Sequence, residues 1–536
     1  MLLNSMRQKF VLLEIVAACA VLAACGGGGS ADLADASVSA PTVDGATLAS
    51  ETQGTATQGT DTQVADTATA PLAEEGADGS AQAAAPVAAQ AEADSADTPP
   101  AVEFGGGSME AVSKSFGETP TAESDLATDT TAPDASERES AQSLTLDSND
   151  AGYAKPKVAA LDYSTDSSST RQALLAKFKF VILAARDGAT LRNFSAGIHS
   201  RNSNTKQAYY TMFNELSCSA SSSDYYYPMV QAANKANFWL RKADGTRSQW
   251  TSLYNTCDMN ITSWGRKDAS GYTWVQRKAQ FDNDMAFKNL PYVKYVFSDN
   301  TFGLPRVSAD WRRIGTNQSR TDSTVISAQR SGQAAYWSAL KSRNSALKII
   351  GNADNDLSPW QYKEKLNGAF FEGAMGRSWS IETWSSWGAM MNRYRALMAN
   401  TASPNDVFLQ VYGSSTDYRL MRYGLASALM HNGYFVYLPS SGTLQPKWYD
   451  EYDARIGTPK YAPPTAPYPG GDGNYWRRTY TNGMVLVNPS KTKTSYIKVG
   501  SGYKRLKGTQ DPGVNNGQSV STVTLGPRQG LILIRN

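Results

Sequence analysis

The sequence predicts an α/β protein in which a (β/α)8 TIM barrel is followed by a small C-terminal antiparallel β-sandwich and preceded by a long disordered tether. Three observations predict this organisation. Acidic and basic residues are divided unevenly along the chain, residues 155–460 alternate between short apolar runs and helical periodicity, and residues 475–536 hold short alternating runs separated by turn residues.

Residues 1–25 have the features of a secretory leader. A short basic start with Arg7 and Lys9 is followed by an apolar stretch and by small residues before Cys25. This arrangement resembles the lipobox of bacterial lipoproteins, so we expect a lipid on Cys25 to anchor the chain to a membrane. An ordinary cleaved signal is the alternative. Gly26 after Cys25 favours the outer membrane, with either a periplasmic or a surface-exposed position.

Residues 26–154 form the predicted tether, which carries 23 acidic residues and two basic ones. Low hydrophobicity combined with high net charge leaves too little apolar surface to bury for folding. The tether has a net charge of −21, whereas the remaining body, residues 155–536, has a net charge of +22. A basic, aromatic-rich body favours an anionic partner such as an acidic exopolysaccharide, unless the tether itself neutralises the charge.

Several enzyme classes lack sequence support. The chain has only two His, His199 and His431, so zinc sites built on several imidazoles and His-centred relays are not expected. There is no P-loop and no G-x-S-x-G, C-x-x-C or H-E-x-x-H motif. We therefore expect no metal and no cofactor. Without a recognisable nucleic-acid module we also expect no nucleic-acid partner, and we expect a monomeric body.

Eight short apolar runs supply the predicted barrel strands. They are residues 158–163, 180–185, 207–213, 293–298, 347–351, 368–371, 407–412 and 434–438. Seven segments with helical periodicity fall between them, at residues 171–178, 190–197, 274–290, 327–343, 360–366, 381–399 and 417–431. This order matches a (β/α)8 barrel, with a doubly wound open sheet as the alternative. The predicted strands of the C-terminal β-sandwich are residues 484–488, 495–499, 520–525 and 530–534.

Two of the predicted barrel strands run directly into a carboxylate. Asp299 follows the fourth strand and Glu372 follows the sixth. In such barrels the functional residues lie at the C-terminal ends of the strands, so both carboxylates are expected on one rim. Two carboxylic residues can cleave a glycosidic bond, one as general acid and the other as nucleophile or base. Alternatively, each acid caps a helix or pairs with an Arg.

The neighbours of the two carboxylates suggest different roles. Glu372 follows two Phe residues, and desolvation beside aromatic surface would raise its pKa, as a general acid/base requires. Asp299 precedes Asn300, and this more polar setting suits an ionised nucleophile or base. Resemblance to other barrel glycosidases favours retention of configuration, which requires carboxyl groups about 5 to 5.5 Å apart.

Other polar residues near the predicted strand ends are candidate sugar ligands, because carboxylates and amides form paired hydrogen bonds with vicinal hydroxyls. They are Asp162, Asn214, Glu215, Asn300, Asn352, Asp354 and Tyr412. Each could instead be a helix cap or a polar rim residue. The acidic cluster Asp450, Glu451 and Asp453 is a further source of carboxylates, or could hold a cation or Arg455.

Two further groups of residues have structural interpretations. In an exported protein, Cys218 and Cys257 could form a disulfide across the long loop after the third strand. Trp384, Trp387 and Met391 are spaced three and four residues apart, which predicts that they pack a helix against the barrel.

Several motifs of the body resemble those of one protein family. The motifs lie at residues 366–373, 422–429, 433–435, 448–453, 456–457, 482–490 and 511–515. Together they resemble the hypothetical glycoside-hydrolase-like family fifteen over essentially all of residues 155–536. The resemblance implies a TIM barrel with a β-sandwich tail and glycosidase activity. The sequence thus predicts a secreted glycoside hydrolase acting on a polysaccharide. A non-catalytic polysaccharide-binding or export-associated lipoprotein on a decayed barrel is the alternative.

Overall fold

The computed structural model describes residues 154–164, 166–184, 188–251, 254–353, 360–439 and 445–536. These residues belong to one compact unit. The predicted leader with Cys25, the predicted tether up to residue 153, and Asp354 lie outside the described residues. Within the ranges above, no helix combines the length and the apolar character needed to cross a membrane.

Ten strands precede position 460 in the described part of the chain. In order they are β1 (Ala159–Asp162), β2 (Phe180–Leu183), β3 (Lys206–Thr211), β4 (Glu215–Ser217), β5 (Thr256–Asp258), β6 (Val293–Ser298), β7 (Lys348–Gly351), β8 (Gly368–Met375), β9 (Asp406–Gly413) and β10 (Tyr434–Pro439). All eight predicted barrel strands are present, whereas β4 and β5 were not predicted.

The eight predicted strands form one parallel sheet in the order β1-β2-β3-β6-β7-β8-β9-β10, and β4 pairs with β5 in a separate antiparallel sheet. A parallel bridge between Val158 and Phe435 brings the start of β1 beside β10. The sheet is therefore nearly closed on itself. This closure confirms the predicted barrel and excludes the open doubly wound sheet.

Aromatic side chains fill the centre of the barrel. The ring of Phe180 lies 4.9 Å from the rings of both Tyr295 and Phe408, and Phe370 and Tyr434 belong to the same buried cluster. Along each strand, the residues that alternate with these inward-facing ones point outwards to the helices. A barrel strand is therefore apolar on both faces. All residues of β9 are buried for this reason.

Nine α-helices are present among the described residues, together with a π-helix (Asn283–Phe287) and a 3-10 helix (Asp450–Asp453). The α-helices are α1 (Ser169–Leu175), α2 (Gly188–Arg201), α3 (Tyr227–Ala236), α4 (Trp274–Asp282), α5 (Ser323–Arg343), α6 (Trp360–Lys365), α7 (Ile381–Trp384), α8 (Trp387–Asn400) and α9 (Tyr418–Leu429). The helix predicted at 381–399 is divided into α7 and α8, because the side chain of Ser386 caps α8 by accepting a hydrogen bond from the Ala389 N–H at 3.1 Å.

The connection between β3 and β6 has structure that the sequence analysis missed. It contains β4, α3 and β5, and a disulfide joins Cys218 to Cys257 with Cα atoms 5.0 Å apart. Register pairing places Glu215 of β4 opposite Asp258 of β5. Both side chains are buried, so this insertion holds two buried carboxylates close together.

The predicted packing of α8 is only partly right. Trp387 and Met391 are buried, and the indole of Trp387 donates a hydrogen bond to Ser427 Oγ at 2.8 Å. Trp384, however, is 45% exposed. Trp384 is the last residue of α7 and does not share the buried face of α8, so the prediction was wrong for this residue.

Five further strands form the C-terminal sheet. They are β11 (Trp476–Tyr480), β12 (Gly483–Asn488), β13 (Ser495–Arg505), β14 (Ser519–Leu525) and β15 (Gln529–Arg535). They pair in one antiparallel sheet in the order β11-β12-β15-β13-β14, which confirms the predicted C-terminal β-domain. A Cβ atom on Gly530 would lie 2.6 Å from the Cβ of Ala426, so only glycine allows β15 to approach α9 this closely.

Ion pairs account for much of the acidic cluster after β10. Arg422 of α9 binds Glu451 at 2.9 Å and Asp511 at 2.6 Å, and Lys155 binds Asp453 at 2.7 Å. Asp450 accepts hydrogen bonds from the backbone of the C-terminal sheet region. The cluster therefore holds Arg422 rather than Arg455, and it links the barrel to the C-terminal sheet.

Candidate active site

The two candidate catalytic carboxylates lie at the C-terminal ends of β6 and β8. Asp299 directly follows β6, where its backbone N–H still donates to the Thr211 carbonyl at 2.9 Å. Glu372 lies within β8, at a register shift between Phe371 and Met375. Because all eight barrel strands are parallel, both carboxylates are on the same rim, as expected.

A local bend in β8 sets the position of Glu372. The next residue, Gly373, has φ of +55°, and its N–H donates to Gln410 Oε1 at 2.5 Å. A Cβ atom on Gly373 would lie 2.1 Å from the indole of Trp379, so glycine is required here on both conformational and steric grounds. Trp379 therefore packs directly beside the candidate catalytic residue.

Asn352, which follows β7, joins the two carboxylates. Its side-chain N–H group donates to Asp299 Oδ1 at 2.8 Å and to Glu372 Oε2 at 2.7 Å. Since one nitrogen reaches both oxygens, these two oxygens lie at most about 5.5 Å apart. The strand order places β7 between β6 and β8, so this bridge follows from the topology.

A tyrosine donates to the other oxygen of each carboxylate. Tyr412 of β9 donates to Glu372 Oε1 at 2.8 Å, and Tyr210 of β3 donates to Asp299 Oδ2. Burial and the nearby carboxylates raise the pKa values of both tyrosines well above the ordinary range. Both phenols therefore remain protonated hydrogen-bond donors over the whole physiological pH range.

Burial raises the pKa of Asp299. The hydrogen bonds from Tyr210, from Asn352 and from the backbone N–H of Asn300 favour the carboxylate but only partly offset this effect, and the charge of Glu215 adds to the rise. The polar neighbour Asn300 that the sequence indicated does donate to Asp299, but burial outweighs this and the other donors.

Glu215 is buried and receives four hydrogen bonds. Asn300 and Arg306 donate to Oε1 at 2.7 Å, and Trp250 and Thr256 donate to Oε2 at 2.8 Å. Burial alone would raise the pKa of Glu215, but Arg306 and these donors hold it below its ordinary value. Glu215 therefore does not face the rim as a free sugar ligand.

Asn300 connects Glu215 to Asp299. It has a left-handed backbone with φ of 55°, which Asn tolerates better than most residues. Its side chain donates to Glu215, its N–H donates to Asp299 Oδ1 at 2.9 Å, and its carbonyl accepts from Asn214. Asn214, Glu215 and Asn300 are therefore brought together beside Asp299.

The remaining predicted sugar ligands are placed differently. Asp162 is fully buried at the end of β1, where it forms an ion pair with Arg171 and accepts from the Ser164 N–H at 3.2 Å. Asp354 lies outside the described residues. Of the predicted sugar ligands at the rim, Asn352 and Tyr412 contact Glu372 directly.

The sequence analysis missed several residues of the site. Tyr210 lies inside a predicted strand. Its position near the end of that strand was the one feature of the sequence that could have indicated a place at the rim. Trp250, Thr256 and Arg306 come from loops or from the unpredicted β5. Burial raises the pKa of Tyr254, and the charges of Glu372, Glu215 and Asp299 raise it further. These residues carry no sequence motif that places them at the rim.

No group of three or more His, Cys, Asp or Glu side chains suited to a metal ion occurs among the described residues. The chemistry available at the rim is that of two carboxyl groups, one amide and phenolic donors. Such a set can donate a proton, attack an electrophilic carbon and hold hydroxyl groups.

The family model described as hypothetical glycosyl hydrolase family 15 matches residues 199–484 of the chain. A search of curated proteins gave no significant match.

The solved structures to which the chain is similar include the following three. Amy13B from Eubacterium rectale is 10% identical with a TM-score of 0.41, covering 72% of this chain and 94% of its own. The glycoside hydrolase domain of PelA from Pseudomonas aeruginosa is 14% identical with a TM-score of 0.34, and the match covers 54% of this chain and 96% of the PelA domain. The β-L-arabinopyranosidase Abp from Geobacillus stearothermophilus is 11% identical with a TM-score of 0.39, and the match covers 71% of this chain and 96% of Abp.

Proposed function

The chain belongs to hypothetical glycosyl hydrolase family 15, and on this premise we propose that it is a secreted enzyme that hydrolyses a polysaccharide with Glu372 and Asp299. The observation that carries the proposal is the bridge of Asn352 between the two carboxylates on one barrel rim. Their spacing supports a double displacement with retention of configuration.

In the first step, Glu372 donates its proton to the glycosidic oxygen while Asp299 attacks the anomeric carbon. The bond between the anomeric carbon and the glycosidic oxygen breaks, the leaving sugar departs as an alcohol, and a glycosyl ester forms on Asp299. In the second step, Glu372 removes a proton from water, which attacks the anomeric carbon. The ester bond breaks, and the Asp299 carboxylate and the proton on Glu372 are restored.

The hydrogen bonds support this division of roles. Asp299 receives three donors, from Tyr210, Asn352 and the Asn300 N–H, which hold it rigidly and stabilise the carboxylate when the ester breaks. Glu372 has the longer side chain and lies at the bend in β8. Burial raises the pKa of Asp299, so the proposed attack requires Asp299 to be ionised while the proton resides on Glu372.

Export to an oxidising compartment is part of the proposal. The leader and Cys25 lie outside the described residues, but the disulfide between Cys218 and Cys257 is typical of exported proteins. We place the enzyme at the bacterial outer membrane, held by a lipid on Cys25, with the body reaching a polysaccharide in the periplasm or at the cell surface.

The test is release of reducing ends from bacterial exopolysaccharides by the purified protein. Glu372→Gln and Asp299→Asn should each lower turnover by about 10²- to 10⁴-fold, because each removes one proton-transfer or nucleophilic group. Their thermal midpoints should stay close to that of the wild type, since both substitutions preserve shape. If both variants kept most of the wild-type activity, the assignment of Glu372 and Asp299 as catalytic residues would be refuted.

Azide distinguishes the two roles. With Glu372→Ala, azide should attack the ester on Asp299 and yield a glycosyl azide of retained configuration, whereas Asp299→Gly with azide should yield the inverted product. The opposite pattern would exchange the roles of the two residues. Retardation of the wild type in a polysaccharide gel without any release of reducing ends would favour the non-catalytic alternative.

A further inference from the structure

An arginine stands beside the proposed acid/base residue without an anionic partner. The guanidinium of Arg377 lies 4.4 Å above the ring of Tyr412, the tyrosine that donates to Glu372. Among the described residues, its guanidinium makes no hydrogen bond and no ion pair with Asp or Glu. This contrasts with Arg171, Arg306 and Arg422 of the same barrel, each of which is paired with a carboxylate.

The backbone of Arg377 is fixed in a tight turn. Its N–H donates to Ser380 Oγ at 3.0 Å, and its carbonyl accepts from the Ser380 N–H at 3.1 Å. The preceding Gly376 has φ of +94°, and a Cβ atom there would lie 1.7 Å from the Tyr412 carbonyl oxygen. The turn is therefore held closely against Tyr412, and this fixes the backbone of Arg377.

Trp379 completes the same side of the rim. Its ring meets that of Tyr412 edge-on, with centroids 6.3 Å apart and an interplanar angle of 71°, and it packs over Gly373 next to Glu372. Arg377 and Trp379 are both only partly buried. A sugar bound beside Glu372 would thus meet an aromatic ring and a guanidinium whose N–H edge is not committed to a protein carboxylate.

We propose that Arg377 binds a carboxylate of the substrate, so that the sugar unit beside Glu372 is a uronic acid. This inference rests on the proposed function, and it names the substrate class of the same site. The guanidinium carbon lies 4.4 Å from the centre of the Tyr412 ring, and a guanidinium held over a ring keeps N–H groups for paired hydrogen bonds to a carboxylate. The net charge of +22 on residues 155–536 draws acidic polysaccharides towards the body.

The test compares three acidic polysaccharides, polygalacturonate, alginate and hyaluronate, each with its carboxyl-reduced form, which differs only in carrying a hydroxymethyl group. Affinity electrophoresis at about 0.15 M salt measures binding of the full chain. The wild type should bind at least one acidic polymer about 10- to 100-fold more tightly than its reduced form, as expected for a charged hydrogen-bonded pair.

Two variants separate the site from general charge. Arg377→Gln should remove the preference while leaving affinity for the reduced polymer unchanged. Arg192→Gln, which removes the same charge from an exposed position on α2, should keep the preference. Equal binding of both members of every pair by the wild type would overturn the inference, as would a preference that survives Arg377→Gln or an equal loss of affinity for both members.

The result is distinguishable from failure of the proposed function, because binding and hydrolysis are measured separately. A carboxylate preference that depends on Arg377, without release of reducing ends, would support the uronate site and refute hydrolysis. Release of reducing ends with no carboxylate preference would support hydrolysis and refute the uronate site.

Discussion

Asp258 offers a quantitative test of the electrostatics around Glu215. It lies in β5 opposite Glu215 and is 5% exposed. Its side chain accepts a hydrogen bond from Ser248 Oγ at 2.9 Å. Burial raises the pKa of Asp258 to about 6, and the charge of Glu215 adds to the rise, although Arg306 and Ser248 oppose it.

The stability effect follows from the difference between folded and unfolded chains. The unfolded carboxyl has an ordinary pKa of 3.8. Between that value and about 6, the folded protein keeps a proton that the unfolded chain has lost, so Asp258 lowers the free energy of unfolding as the pH rises. Above pH 6 the full penalty applies, about 3 kcal/mol for this change in pKa.

Asp258→Asn removes the ionisation and keeps the shape. Relative to the wild type, the free energy of unfolding of this variant should rise by about 2 to 3 kcal/mol between pH 4 and pH 7.5. The assay is urea unfolding followed by tryptophan fluorescence at several pH values. The control is Asp472→Asn at an exposed turn, which should show no such change. A stability difference that is constant with pH, or that falls as the pH rises, would refute the reasoning.

Two further predictions concern the hydrogen bonds to the carboxylates. Asn352→Ala removes a donor that lowers the pKa of Asp299. Turnover should therefore fall, and the acidic limb of the pH–rate profile should move to higher pH. An acidic limb at the same pH as in the wild type would contradict the bridging role of Asn352. Tyr412→Phe and Tyr210→Phe each remove a hydrogen bond to a charged group, so each should lower kcat/KM by about 10- to 100-fold, measured on the same polysaccharide, and unchanged values would argue against preorganisation by the tyrosines.

The barrel strands could be predicted from sequence because each is a short apolar run with turn residues on both sides. In a parallel barrel both faces of a strand are buried, so the strand is a continuous apolar run. The loops between the strands have no such run, and this difference makes the strands recognisable. The same reasoning could not detect β4 and β5, which contain only three residues each. Runs of that length have no measurable period, and they are held in place by partners far along the chain.

The site was predictable in its residue types but not in its contacts. Position at a strand end placed Asp299, Glu372 and Asn352 on one rim, since that depends only on strand direction. The burial of Glu215 depends on Arg306, which is 91 residues away in the sequence. Burial raises the pKa of Asp299, but its contacts Tyr210 and Asn352 are 89 and 53 residues away in the sequence, so its sequence neighbours could not predict this rise.

The two carboxylates are held by separate parts of the chain. On one side, the insertion between β3 and β6 supplies Glu215, which positions Asn300 and through it Asp299. On the other side, the β9 residue Tyr412 binds Glu372. Asn352 of the intervening strand end joins the two sides. A glycosidase needs a nucleophile and an acid/base residue held in a fixed relative position, and the shared donor Asn352 couples the two separately supported carboxylates in this way.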